Sequence, residues 1–197
     1  MTIDHSDAIL TRMMALHPKV IDLTLDRVWR LLDRLGNQQE QLPSVVHIAG
    51  TNGKGSTVAY IEAIARASGY RTGAFTSPHL LRYNERIRID GTEVSDADLV
   101  QAFEAIEAAR ADIALTYFEF GTLAALYLFA RAGLDLAILE VGLGGRLDAV
   151  NIIDADIAVI TTVDLDHQAY LGNDREAIGF EKAGIMRPGR PCILGEK

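Results

Sequence analysis

Val45 to Val58 reads "VVHIAGTNGKGSTV": an apolar run, then small and turn-forming residues around one lysine, then two hydroxyls. The run Val45 to Ala49 is short and bounded by turn residues, which predicts a buried strand. Ser56 to Ser68 has helical composition, with Gly69 as its stop. A strand that feeds a glycine-rich loop and then a helix outlines an anion site. The helix N-terminus carries unpaired N–H groups and about half a positive charge. Gly50, Gly53 and Gly55 let the backbone turn tightly and expose successive N–H groups to phosphate oxygens. Lys54 is placed to reach the outer phosphates of ATP. The whole loop, Gly50, Thr51, Asn52, Gly53, Lys54, Gly55, Ser56 and Thr57, is therefore the expected phosphate cradle, and Ser56 or Thr57 can face a magnesium ion. The loop departs from the pattern G-x-x-x-x-G-K-[ST], because Ile48 stands at the first glycine and Gly55 follows the lysine. The competing reading is a glycine-rich turn with a surface lysine. It leaves the order of strand, loop, lysine, hydroxyls and helix unexplained.

Outward from the loop, strands and helices alternate. The first forty residues predict two helices, the second over Leu23 to Gly36 with Leu25, Val28, Trp29, Leu32 and Leu35 at helical spacing. Arg71 to Thr76 is a strand. Ser77 to Gly91 is polar and irregular, with a short strand at Arg86 to Ile89. Ser95 to Asp98 and Thr116 to Glu119 have the spacing of capping boxes, opening helices to about Ala111 and Gly133. Strands follow at Leu136 to Val141 and Ile157 to Thr162, a helix at about Asp174 to Met186, and a last strand at Pro191 to Leu194. This alternation predicts an α/β fold, a mostly parallel sheet with helices on both faces.

Composition narrows the function classes. The chain has 197 residues, 49% hydrophobic and 23% charged, with a formal net charge of −8. No Lys/Arg run offers a nucleic acid a basic face. No apolar run is long enough to span a membrane, and the N-terminus does not read as a signal peptide. Cys192 is the one cysteine, so no internal disulfide can form, and a cytoplasmic setting is expected.

Five segments in order, "GTNGKGS", "SPHLLRYNERI", "LEVGLGGRLDAVNI", "DLDH" and "EKAGI", resemble the folylpolyglutamate synthases and dihydrofolate synthases of the Mur-ligase superfamily. The resemblance spans about Asp22 to Glu196. It implies a P-loop NTPase-like central domain, of which residues 1–197 are the N-terminal part; the rest of that domain and a smaller glutamate-ligase domain are expected outside this chain. The implied metal contacts are Ser77, Glu140 and His167. The residues alone also put Glu140 and His167 beyond the ends of two strands, expected as sheet neighbours, where ligands of open α/β sheets bind.

Lys182 read from its helix alone is a solvated surface charge. The resemblance instead implies a carbamoylated lysine that helps hold a second magnesium. Asp148 is implied to lie near a pterin, whose paired N–H donors suit a carboxylate. Phe118 offers an aromatic face, while Phe120 and Tyr127 fit the core equally well. Arg82 and Arg86 suit a substrate carboxylate or developing phosphate, and a surface ion pair suits either one equally well; Arg82 is the expected substrate residue. Asp164 and Asp166 could serve only to position His167.

The activity implied is an ATP- and magnesium-dependent ligase, joining L-glutamate to dihydropteroate or a folate through an acyl phosphate. Lys54, His167 and Lys182 are its expected catalytic groups. The full-length protein is expected as a monomer with no nucleic-acid or membrane partner, and this chain alone is expected to be inactive. Another Mur-type amide ligase and a non-catalytic nucleotide- or pterin-binding fragment stay open as alternatives.

Overall fold

The strand that leads into the glycine-lysine loop lies deep within a sheet. In the structure, a computed structural model, residues 10, 11, 15, 21–36 and 41–195 are described. The first of the two expected N-terminal helices lies mostly outside them. The strands are β1 (Ser44–Ala49), β2 (Thr72–Phe75), β3 (Ile87–Ile89), β4 (Thr92–Glu93), β5 (Leu136–Glu140), β6 (Ile157–Ile160) and β7 (Cys192–Leu194). Their order is β4-β3-β2-β5-β1-β6-β7. The five strands from β2 to β7 are parallel, and β3 and β4 join antiparallel at one edge.

The helices are α1 (Asp26–Arg34), α2 (Lys54–Ala67), α3 (Asp96–Arg110), α4 (Tyr117–Phe129), α5 (Gln168–Leu171) and α6 (Arg175–Ala183). Side chains of β1 alternate between the two faces, as the pleat requires. Val45 and Ala49 join a core with residues of α1, α3 and α4. Val46 and Ile48 pack with Val58 of α2 on the other face. Helices thus cover both faces, as expected. His47 is fully buried on β1, and burial pushes its imidazole down to about 3, so it is a neutral core residue.

Both capping boxes form: the Ser95 hydroxyl accepts from the Asp98 N–H, and the Thr116 hydroxyl from the Glu119 N–H. On α1 the buried face is Val28, Leu31 and Leu32, whereas Trp29, part of the expected apolar stripe, is half exposed. β5 and β6 are not neighbours, contrary to expectation; β1 runs between them. Ile48 pairs with Glu140 on one side and Val159 on the other. The carboxyl ends of β5, β1 and β6 therefore come level around the loop. No described helix is long and apolar enough to cross a membrane.

Candidate nucleotide and acceptor site

The loop after β1 turns on two glycines. Gly50 has φ +149°, and a Cβ there would meet the Thr161 hydroxyl at 1.8 Å; Gly53, with φ +82°, caps α2 in the left-handed region. The Thr57 N–H bonds the Gly53 carbonyl at 3.0 Å, so the N–H groups just before Thr57 open α2 without helical acceptors of their own. Lys54 is the first residue of α2 and folds back, its Nζ donating to the Gly50 carbonyl at 2.9 Å.

Glu140 ends β5 almost fully buried, with its oxygens facing Gly55. The Ser77 N–H donates to its Oε2 at 3.1 Å. Burial raises the Glu140 pKa, opposed by that N–H and by Lys54. His167 has a left-handed backbone, φ +48°, and its imidazole lies 3.6 Å from the Asp166 carboxylate. Among the described residues no three His, Cys, Asp or Glu side chains converge as a metal cage. Magnesium needs only one or two protein oxygens beside substrate phosphates. Ser77 and Glu140, joined at the mouth of the loop, fit that requirement.

Lys182 departs from the reading of its helix alone. It is buried on α6, and burial, reinforced by Lys54, lowers its pKa to about 8. A small cavity beside the loop is lined by Gly50, Lys54, Asp166, His167 and Lys182, which brings the two lysines together. The carboxylate of Asp164 lies elsewhere, accepting from the Leu165 N–H and lying 3.5 Å from Arg175.

A larger cavity of about 480 Å³ opens from the loop, with Lys54, Ser77, His167, Phe118 and Asp148 in its walls. Phe118 tilts against Phe75 at 5.8 Å and lies over Gly142, where a Cβ would clash with the ring at 2.6 Å. Asp148 is buried and accepts from the N–H groups of Leu143 at 2.8 Å and Val150 at 3.0 Å. Burial pushes its carboxyl up to about 7, against the pull of these donors. Phe120 is core and Tyr127 stacks with Arg131; neither lines the cavity.

Arg82 does not line the cavity. Its exposed guanidinium pairs with Asp96 at 2.7 Å, while Arg86 reaches the wall instead. Arg86 is nearly buried, donates from Nε to His79 Nδ1 at 2.8 Å, and lies 5.3 Å from the Tyr83 and Tyr117 ring centres. Sequence reasoning missed the wall formed by Ile21 to Thr24 together with Thr116 and Glu119. Arg27 ties that wall together, pairing with Asp22 at 2.6 Å and Glu119 at 2.9 Å. The signal available was Glu119 itself, an acidic residue at a helix start within an otherwise apolar run.

Residues 48–191 match the model of the Mur ligase middle domain. The chain belongs to that family. The chain is 54% identical over 187 residues to the dihydrofolate synthase/folylpolyglutamate synthase of Escherichia coli K12, covering 95% of this chain and 44% of that one. The solved structure of E. coli FolC in complex with DHPP and ADP has a TM-score of 0.95 at 53% identity, covering 97% of this chain and 46% of its own. A bifunctional folylpolyglutamate synthase/dihydrofolate synthase with Mn, AMPPNP and L-glutamate bound has a TM-score of 0.90 at 53% identity, again covering 97% and 46%. The Mur ligase chain thus spans less than half the length of these relatives.

Proposed function

We propose that the protein is an ATP-dependent ligase that joins L-glutamate to dihydropteroate, to reduced folates, or to both, and that residues 1–197 form the N-terminal part of its ATP-binding unit. The glutamate-ligase domain belongs to the remainder of the full-length protein, which works as a monomer in the cytoplasm. The observation that carries this reading is the single cavity from Lys54 and Ser77 to Phe118 and Asp148. A phosphoryl donor on the loop and an aromatic acid along the cavity then meet end to end. The relatives support the choice of ligands, since one holds DHPP with ADP and another Mn, AMPPNP and L-glutamate.

In this reading the loop N–H groups and Lys54 offset charge on the transferring phosphoryl group. The acceptor carboxylate attacks the γ-phosphorus, giving an acyl phosphate and ADP; the glutamate amine then forms the amide and releases phosphate. Ser77, Glu140 and His167 are the residues that would hold magnesium, which when bound would supply charge neutralisation. Lys182 is the site of carbamoylation: burial lowers its pKa and so favours the free amine that carbamoylation needs, and the carbamate would turn a buried cation into an oxygen ligand. Phe118 faces the acceptor ring. Asp148 uses carboxylate lone pairs left beyond its backbone bonds to accept from the ring edge. Arg86 takes the anion-binding role expected of Arg82.

The test is amide formation and ADP release by the full-length protein, first with dihydropteroate and glutamate, then with tetrahydrofolate and glutamate. Lys54→Ala is expected to lower the rate by about 10²- to 10³-fold with an unchanged circular dichroism spectrum. No product with either acceptor, or a Lys54→Ala rate within threefold of the parent (a bound of about 0.7 kcal/mol), refutes the reading.

A further inference from the structure

Past β6 the chain crosses the phosphate loop, and its polar groups are engaged there one by one. The Thr51 N–H donates to the Thr162 carbonyl at 2.9 Å, and the Asn52 N–H to the Thr162 hydroxyl at 3.0 Å. The Thr161 hydroxyl donates to the Asn52 carbonyl at 2.6 Å. The Thr51 hydroxyl donates to the Asp164 carbonyl at 3.1 Å and accepts from the Asp164 N–H at 3.0 Å. At the root of the loop, the Thr161 N–H donates to the Ala49 carbonyl at 2.9 Å, and its hydroxyl fills the space a side chain at position 50 would need.

These contacts sort the loop into two halves. The N–H groups of Thr51 and Asn52 and the Thr51 hydroxyl are bound to protein, so they are not donors to a phosphate. The N–H groups at the start of α2 remain for it, together with the hydrogen that the Lys54 ammonium keeps beyond its bonds to the Gly50 and Thr51 carbonyls. We propose that Thr161 and Thr162 are positioning residues, a pair of hydroxyls that splints the first half of the loop and fixes the register in which the second half meets the nucleotide. The proposal rests on the reading of the loop as an ATP site and extends it to two residues outside the glycine-lysine motif. Neither threonine touches phosphate. Each acts through Asn52, whose N–H and carbonyl they hold from one side.

The substitution that isolates the hydroxyl is Thr162→Val, which keeps the branched shape and removes the acceptor for the Asn52 N–H. Thr162→Ser keeps the hydroxyl and removes the methyl. Binding of ADP with magnesium to the full-length protein is measured by calorimetry for parent and both variants, alongside the KM for ATP and for the pterin acceptor. Thr162→Val is expected to weaken ADP about tenfold, the scale of one lost hydrogen bond, and to raise the ATP KM while the acceptor KM holds. Thr162→Ser is expected within about threefold of the parent on the same scale. A general loss of structure would shift both KM values, and the serine variant would not restore binding. Valine and serine variants that bind ADP alike, or a valine variant that matches the parent, overturn the splint while leaving the ligase reading intact. A parent that binds no nucleotide overturns both.

Discussion

Asp148 is a carboxyl buried among backbone donors, and the balance between burial and hydrogen bonding makes it a titrating group near neutrality. Its folded pKa, about 7, lies above the ordinary 3.8. The folded state is therefore favoured by protonation, and this contribution is fully present below the ordinary value and lost as pH rises through the folded one. Thermal melts from about pH 4 to about pH 8 should show the parent losing more stability than Asp148→Asn; parallel profiles would mean the group does not titrate there. Residue chemistry was legible where a motif names both the residue and its setting. Ser77 and Glu140, from separate motifs, do meet. What the sequence could not supply was direction. Arg82 and Arg86 flank one short turn, and Arg86 turns inward onto His79 and the rings of Tyr83 and Tyr117. The burial of Lys182 is equally non-local: a Cβ at Gly145 would lie 2.8 Å from the Glu181 carbonyl, so the glycines let the loop press onto α6.

At the scale of elements, helix starts were the most legible feature, because a capping box is local chemistry. The two boxes nonetheless differ in consequence. Asp98 lies in an exposed box, bonding the Ser95 hydroxyl at 2.6 Å. Glu119 is buried, bonds the Thr116 N–H at 2.7 Å and also takes the Arg27 guanidinium. Ser95→Ala should cost about 1 kcal/mol. Glu119→Ala should cost about 2 kcal/mol, since it also removes one of two carboxylate partners from a partly buried cation. Urea denaturation of both variants checks the order; equal losses would mean the Arg27 contact adds nothing. Helix ends were less legible. α4 stops at Phe129, short of Gly133, and β4 has only two residues, too few to show alternation.

For the whole molecule, alternating strands and helices specified the layers, while the strand order followed from long-range pairing that no local pattern encodes. The position of β1 between β5 and β6 is the clearest case. We expect the 197-residue chain, which spans under half of its relatives' length, to form no amide by itself. If the proposed reaction runs through this cavity, an acyl phosphate formed without the remainder of the full-length protein to exclude water would hydrolyse before an amine arrived. Incubation with ATP, magnesium, dihydropteroate and labelled glutamate, followed by chromatography, checks this. Stoichiometric dihydrofolate would show that one unit suffices.

The central place of β1 also governs how the chain is born. Ser44 must wait for Leu136, and Val46 for Ile157, before either has a neighbour in the sheet. Ribosomes add about 5–20 residues per second, so β1, the first strand among the described residues, spends several seconds unpaired, its valines and isoleucine exposed. Pairing over such separations is slow. During synthesis the glycine-lysine loop therefore hangs from an open apolar edge, and in that interval a holdase or a second nascent chain can compete for β1.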